Sequence, residues 1–142
     1  MKDVSVKLLS QLHATLYRAT GGAIGRRLVS NDMLLLTTTG RHTGTRHTVP
    51  LLYLRDEERL VVIASYGGRP QHPQWYLNLL AQPEATVQTE RTITPVIATT
   101  MSQADRDVWW PRIVYAYSDY ATYQSRTDRQ IPVVWLEPRT GT

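Results

Sequence analysis

The sequence predicts an α+β domain in which mostly antiparallel strands close into a barrel. Short apolar and β-branched runs recur between residues 33 and 136, and most of them end at turn residues such as Gly, Pro or Asp. Helical spacing is confined to the N-terminus and to a few short stretches. So many short strands would leave unpaired sheet edges, which closure into a barrel removes.

Composition narrows the class of protein. The chain has 142 residues, 42% of them hydrophobic and 20% charged, which is the composition of one globular domain. The absence of cysteine excludes a disulfide scaffold, a thiolate nucleophile and a cysteine-bound metal, and it fits a reducing cytoplasm. A formal net charge of +4 favours an anionic partner, whether a phosphorylated small molecule, a nucleic acid or an anionic lipid.

Residues 1–30 are expected to form an amphipathic helix and a connector, and residues 31–142 a single domain. The apolar residues at helical spacing are Val4, Leu8, Leu9, Leu12 and Leu16. They predict a helix over residues 3–19, which the glycines at 21–22 end. We interpret this helix as packed on the domain; the alternative is peripheral contact with the inner face of the cell membrane. The protein itself is expected in the cytoplasm, because residues 1–10 lack the apolar core of a signal peptide.

The remaining elements follow from periodicity and turn residues. Strands are expected at residues 33–39, 47–54, 60–65, 85–90, 92–100 and 131–136. Helical pieces are expected at residues 74–80, from Ser102 to an interruption at Pro111, and at residues 113–123. Pro50 places the second strand at a sheet edge or a bulge, because proline cannot donate to a central ladder.

The strongest local feature is the string TTTGRHTGTRH at residues 37–47, where a strand runs into a turn and out into another strand. Gly40 and Gly44 let the backbone approach a ligand closely, while Arg41 and Arg46 offer forks for phosphate or carboxylate. The string lacks the Gly-Lys-Ser/Thr ending of a Walker loop, and no helix follows it as in a dinucleotide fingerprint. It indicates an anion site, with a solvated hairpin as an equally open alternative.

Three tyrosines, Tyr117, Tyr120 and Tyr123, recur at intervals of three, so on one helix their rings would line one wall. Their phenols could orient an acceptor or donate a proton; the alternative is an aromatic packing stripe. The four histidines lack metal-ligand spacing, so no metal is expected. Because no nucleophile elbow or carboxylate pair stands out either, we expect a bound organic cofactor to carry the chemistry.

Five strings in chain order carry a resemblance to a known family. They are LLLTTTGRHTG at residues 34–44, ASYGG at 64–68, HPQWYLNL at 72–79, YATYQ at 120–124 and TDRQIP at 127–132. Through them the chain resembles the deazaflavin-dependent nitroreductases and F420H2-dependent quinone reductases of actinobacteria. The resemblance implies a split β-barrel like that of FMN-binding reductases. It also implies an oxidoreductase that passes a hydride from reduced coenzyme F420 to a quinone-like or nitroaromatic acceptor.

The resemblance also assigns candidate site residues. Coenzyme contacts are expected from Arg41, His42, Thr43, Arg46, His47, Thr48, Val49, Pro50, Leu51, Ile63, Ala64, Ser65, Tyr66, Gln74, Trp75, Tyr76, Leu77, Asn78 and Tyr120. Acceptor contacts are expected from Leu52, Tyr117 and Tyr123. Ser65 and Tyr120 are the catalytic candidates, because they could orient the acceptor or deliver a proton.

The chain departs from the family pattern at three of these positions. His42 and Tyr66 stand where the family often has lysine. Both changes remove permanent positive charge, which predicts weaker binding of long glutamate tails on the coenzyme. Leu52 stands where some members have tyrosine, so the range of acceptors is expected to differ.

Other functions compete with this interpretation. An FMN-dependent reductase of the same fold would give a yellow, flavin-fluorescent protein. A non-catalytic F420 carrier would bind the coenzyme tightly without turnover. A nucleic-acid-binding barrel is disfavoured, because the basic residues are not interleaved with stacking aromatics on one strand face. The oligomeric state is expected to be monomer or dimer.

Overall fold

A computed structural model describes residues 33–90 and 92–139, which form one seven-stranded antiparallel sheet with three helices. The strands are β1 (Met33–Thr39), β2 (Arg46–Leu52), β3 (Leu54–Asp56), β4 (Arg59–Ile63), β5 (Glu84–Thr89), β6 (Thr92–Thr100) and β7 (Val133–Pro138). The helices are α1 (Gln74–Ala81), α2 (Gln103–Ala116) and α3 (Asp119–Ser125), and a 3₁₀ turn spans Tyr66–Gly68. The predicted N-terminal helix and the boundary at residue 30 lie outside the described residues.

The sheet curls because its two edge strands are consecutive in the chain. The strand order is β2-β1-β5-β6-β7-β4-β3, so β2 and β3 lie at opposite ends, yet only Tyr53 separates them. The Tyr53 side chain is buried in the interior, and its carbonyl accepts a hydrogen bond from the Tyr117 hydroxyl at 3.0 Å. The predicted single strand over residues 47–54 is therefore wrong, because the chain crosses from one edge to the other there. The edge position predicted from Pro50 is confirmed.

Inward-facing side chains of the curled sheet form the larger core. The strand residues of this core that are fully or nearly fully buried are Leu34, Leu36, Leu60, Val62, Ala85, Val87, Val96, Val134 and Leu136, and Ala64, just after β4, joins them. Trp75, Tyr76 and Leu79 of α1 pack against them. Helix α1 therefore covers one side of the interior next to β1, which brings its first turn to the β1–β2 turn.

The opposite face of β4 and β7 is covered by α2 and α3. This second core contains Val61, Ile63, Met101, Trp109, Ile113, Tyr120, Ile131, Val133 and Trp135. The rings of Trp109 and Trp135 meet edge to face at 5.6 Å. Because side chains alternate along a strand, β4 and β7 contribute to one core on each of their two faces.

Two helix predictions need correction. Pro111 lies inside a continuous α2, so the predicted interruption is wrong. Pro111 is on the exposed side, where water can reach the carbonyl that loses its partner, and buried Trp109 and Ile113 hold the helix on both sides of it. The break comes instead at Tyr117, whose backbone is non-helical (φ −140°, ψ 88°), so residues 113–123 are not one helical piece.

The other predicted elements agree with the structure to within a few residues. Ser102 begins α2 as expected, and its hydroxyl accepts a hydrogen bond from the Asp105 amide at 3.2 Å. Strand β4 ends at Ile63 rather than Ser65, because Ser65 already has helical backbone angles. Within the described ranges, no helix is long and apolar enough to cross a membrane.

Candidate functional site

The β1–β2 turn is compact and depends on two glycines. The Gly40 amide donates to the Thr45 carbonyl at 2.7 Å, and the Gly44 amide donates to the Gly40 carbonyl at 2.8 Å. Gly44 has φ +73°, a conformation that favours glycine. A Cβ on Gly40 would lie 2.9 Å from Nε2 of His47, so the exposed ring of His47 would have to shift to admit a side chain there.

Arg41 joins this turn to helix α1. Its amide and its Nη1 both donate to Oδ1 of Asn78, at 3.2 and 2.9 Å, and its Nη2 donates to Oε1 of Gln74 at 2.9 Å. Asn78 in turn donates to the Thr38 hydroxyl at 3.2 Å. These partners are neutral, so they do not offset the positive charge of the guanidinium. It lies next to the first turn of α1, which has no side-chain cap, and both features favour an anion.

Strand β2 cannot present all its predicted contact residues to one ligand. Val49 and Leu51 pack towards the interior, so the alternating side chains of Arg46, Thr48 and Pro50 face outward. The Thr48 hydroxyl bonds that of Thr37 at 2.8 Å across the outer face. A ligand on that face would meet the inward residues only through their backbone.

The two arginines predicted to offer forks for phosphate or carboxylate lie apart. Arg46 is exposed, and its Nη2 reaches the hydroxyl of Thr86 on the outer face at 3.4 Å. Arg41 turns to α1 on the side of the interior. Within residues 33–90 and 92–139, Arg41 is therefore held in place by three hydrogen bonds, while Arg46 makes a single long one.

The loop at residues 64–69 follows β4 and carries the catalytic candidate Ser65. Three successive residues of this 64–69 loop have positive φ: Tyr66 (+49°), Gly67 (+64°) and Gly68 (+81°). The phenol of Tyr66 accepts a hydrogen bond from Nη1 of Arg69 at 3.1 Å, and the guanidinium stacks on the Tyr66 ring. Ser65 is buried.

Helix α3 packs directly on the 64–69 loop. A Cβ on Gly68 would lie only 2.5 Å from the carbonyl oxygen of Tyr123 and 2.9 Å from Cβ of Arg126. Nη1 of Arg126 donates to the Gly67 carbonyl at 3.2 Å. This contact places the loop of Ser65 beside the helix that carries Tyr120 and Tyr123.

The three tyrosines form one wall although a single helix does not carry them. Tyr117 lies in the break between α2 and α3, yet the rings of Tyr117 and Tyr120 meet edge to face at 6.0 Å, and those of Tyr120 and Tyr123 at 5.8 Å. The Tyr117 hydroxyl donates to the Tyr53 carbonyl, one residue from Leu52. Tyr120 belongs to the second core, and Tyr117 and Tyr123 pack against that core, which agrees with the packing interpretation. A role of the wall in binding an acceptor stays a prediction.

Tyr120 is the most buried of the three, with 8% of its surface exposed. Burial, together with the neighbouring Tyr117 and Tyr123, raises the pKa of its phenol above the ordinary value. The phenol therefore stays neutral and is a weak proton donor. Its hydroxyl makes no hydrogen bond to the described part of the chain, so its role as a group that meets an acceptor stays a prediction.

Sequence reasoning assigned no role to His72 or Arg129, which lie next to each other at this site. Nη1 of Arg129 is 3.0 Å from Nδ1 of His72, so this nitrogen accepts and the imidazole is neutral. Burial, and then the charge of Arg129, lower the pKa of His72. The only sequence signal was that both residues fall in the family-like strings HPQWYLNL and TDRQIP.

The pKa of His72 predicts acid-sensitive stability. Below about pH 6.5 the unfolded chain takes up a proton on His72 that the folded protein resists, so the free energy of unfolding falls as the pH drops through that value. We expect His72→Leu to flatten this part of the profile in urea unfolding between pH 5 and 8. A variant with the same pH dependence as wild type would show that His72 is not the group responsible.

The fold places the chain among the split-barrel proteins. An FAD-binding protein from Mesorhizobium loti, 11% identical in sequence, has the same fold with a TM-score of 0.58 over 83% of this chain and 90% of that chain. The chain belongs to the F420H(2)-dependent quinone reductase family, whose model matches residues 9–138. This assignment confirms the predicted class of oxidoreductase and reduced F420 as its hydride donor.

Closer relatives agree with the assignment. An F420H(2)-dependent quinone reductase of Mycobacterium tuberculosis is 39% identical, over 97% of this chain and 95% of the relative. The structure of an F420-H2 dependent reductase (FDR-A) is 39% identical with a TM-score of 0.69, covering 75% of this chain and 94% of that chain. A structure described as a domain-swapped dimer is 34% identical with a TM-score of 0.70, covering 96% of both chains.

Proposed function

We propose that this protein transfers a hydride from reduced coenzyme F420 to a quinone. The observation that carries the proposal is the bond network from Arg41 to Gln74 and Asn78. It joins the turn expected to bind an anion to the first turn of α1, expected from the family resemblance to close the phosphate side. Two separate strings of the sequence thus meet in one basic site.

The residues present fit an acidic coenzyme with a flat ring. Arg41 would bind the phosphate together with the free amides of α1, while His42, Arg46 and His47, all exposed, would meet the acidic tail. Ala64, Ser65 and the phenol of Tyr66 would flank the ring. When bound, the coenzyme would supply a hydride from C5 of its reduced ring.

The protein's own contribution would be orientation and exclusion of water. Ser65, Tyr120 and Tyr123 lie on two elements in direct contact, so an acceptor at this junction would lie against the coenzyme-binding loop. Leu52 and Tyr117 would border the acceptor from the β2–β3 junction. The Tyr120 hydroxyl would donate a hydrogen bond to a quinone oxygen, and solvent would supply the proton.

We expect Tyr120→Phe to slow hydride transfer less than tenfold, because a phenol of raised pKa orients an acceptor rather than acting as an acid. Coenzyme affinity and stability should hardly change, since the ring remains. Single-turnover oxidation of the bound reduced coenzyme by menadione measures this, with the exposed Tyr115→Phe as the matched control. A loss of 10²-fold or more would make Tyr120 the proton donor.

Ligand titration tests the coenzyme. Quenching of F420 fluorescence by the protein, with little competition from FMN, is the expected result. Equal or tighter binding of FMN would favour the FMN-dependent reductase, and tight F420 binding without turnover of any quinone would favour a carrier. Reduction of nitroimidazoles by the same preparation would extend the proposal to nitroaromatic acceptors.

The proposal also covers the oligomeric state of the protein and its place in the cell. The similarity to a domain-swapped dimer favours a dimer for this chain as well, which light scattering in solution would test. We propose that the protein works in the cytoplasm; peripheral membrane contact through the predicted helix over residues 3–19 is the alternative to packing of that helix on the domain. Sedimentation with anionic vesicles, before and after removal of residues 1–19, would test that contact.

A further inference from the structure

We infer that Arg129 is a positioning residue that holds the 64–69 loop in the shape required to bind the coenzyme and to transfer its hydride. The inference rests on the proposed function, because that loop is proposed to flank the coenzyme ring. Arg129 has no part in the assignments drawn from the sequence.

One guanidinium makes four hydrogen bonds around this loop. Nη2 of Arg129 donates to the Ser65 carbonyl at 2.6 Å, and Nη1 donates to the Ala64 carbonyl at 3.2 Å. Nε donates to the Arg69 carbonyl at 2.9 Å, and Nη1 also meets Nδ1 of His72 at 3.0 Å. The side chain therefore holds both ends of the 64–69 loop and the residue that leads into α1.

The loop needs such support because Tyr66, a residue with a side chain, has positive φ in it. Its internal backbone hydrogen bonds are Gly68 amide to Ser65 carbonyl at 2.9 Å and Arg69 amide to Tyr66 carbonyl at 3.1 Å. Tyr66 has φ +49°. This backbone conformation costs free energy in a residue with a side chain, so it persists only where the surrounding structure imposes it. The planar fork of arginine can reach several carbonyls at fixed angles, whereas lysine offers one compact ammonium.

Arg129 is itself fixed from the helices that carry the tyrosine wall. Nε2 of Gln124 donates to the Arg129 carbonyl at 2.8 Å. Oε1 of Gln124 accepts from the Ile131 amide at 2.9 Å and from Nη2 of Arg106 at 3.0 Å. This network joins α2 and α3 to the 64–69 loop, so it fixes the acceptor side relative to the coenzyme side.

The test compares Arg129→Lys and Arg129→Gln with wild type, and Arg126→Lys is the matched control. Arg126 contacts the same loop through a single carbonyl and is exposed. Hydrogen exchange of the Gly68 and Arg69 amides reports the loop in the protein without coenzyme. F420 titration and single-turnover oxidation of bound F420H2 by menadione, at saturating coenzyme, report the site. All are measured below each variant's unfolding transition.

We expect faster exchange of both loop amides in the two Arg129 variants, about tenfold weaker F420 binding, and a single-turnover rate at least tenfold lower. The control should stay within twofold. Arg129→Lys keeps the positive charge but loses the planar fork. If this variant binds F420 and reacts like wild type, the proposal is wrong, and Arg129 acts only through its charge, which attracts the coenzyme. Faster loop exchange with unchanged binding and rate would also overturn it.

Failure of the proposed function is a separate outcome. If the proposed function is wrong, the wild-type protein neither binds F420 nor oxidises F420H2. The inference about Arg129 is then wrong as well, whatever the variants do. If Arg129→Lys does not fold, His72→Leu removes only one of the four hydrogen bonds and gives the same comparison. Its loop exchange and hydride transfer should then change in the same direction, by a smaller factor; no change in either would overturn the proposal.

Discussion

Gly68→Ala is expected to lower the free energy of unfolding by about 2–5 kcal/mol. A residue with Cβ at φ +81° costs about 1–2 kcal/mol in the left-handed region. The new methyl would also lie 2.5 Å from the Tyr123 carbonyl oxygen, and overpacking of this kind costs about 1–3 kcal/mol. Because relief requires α3 to move off the 64–69 loop, hydride transfer should fall together with stability. Urea unfolding and menadione turnover measure the two effects.

The adjacent glycine separates the two causes. Gly67 also has positive φ, at +64°, but a Cβ there would meet no atom within 4 Å. Gly67→Ala should therefore lower the free energy of unfolding only by the cost of the left-handed backbone conformation, about 1–2 kcal/mol. Turnover should stay close to wild type. Equal losses for the two variants would show that α3 does not pack on the loop as described.

Arg41→Ala is expected to weaken F420 binding by about 1.5–3 kcal/mol, which is about 10- to 150-fold. The substitution removes the positive charge beside the first turn of α1 and the bonds to Gln74 and Asn78. The loss should shrink as salt rises, since part of the attraction is between charges that solvent reaches. Fluorescence titration at low and high salt gives both quantities.

Arg46→Ala is the matched comparison for Arg41→Ala. Arg46 is exposed and has one long contact, to Thr86, on the outer face of the sheet. We expect it to bind the acidic tail and to cost less affinity than Arg41, with the stronger relative dependence on salt. If Arg46→Ala were the more damaging variant, the anion would lie on the outer face of β2 and the network of Arg41 would be structural.

The local elements were predictable because each left its own periodicity in the sequence. The β5–β6 hairpin, predicted at residues 85–90 and 92–100, forms at Glu84–Thr89 and Thr92–Thr100. The break at Tyr53 was not visible, because a buried tyrosine fits an apolar strand equally well on either side of a crossing. Strand order depends on which edges meet in three dimensions, and a local pattern does not contain that information.

The residues of the candidate site were predictable from local strings of the sequence, but the contacts between those strings were not. The turn of Arg41 and the helix of Asn78 are separate strings, and only the fold shows that they bond to each other. The opposite facing of Arg46 and Val49 follows from strand alternation, but which face is interior depends on the packing of α1. Arg129 was visible only as a letter in a family-like string, because its role is made of contacts with residues about 60 positions away.

Single-turnover oxidation of protein-bound F420H2 by menadione measures whether this protein transfers the hydride to a quinone. We expect oxidised F420 to appear, with one equivalent of quinol, much faster than in the same mixture without protein. We also expect deuterium at C5 of the coenzyme to slow the reaction, because that hydride is transferred. A rate no faster than that of the free reduced coenzyme, at a concentration where binding is complete, would contradict this function.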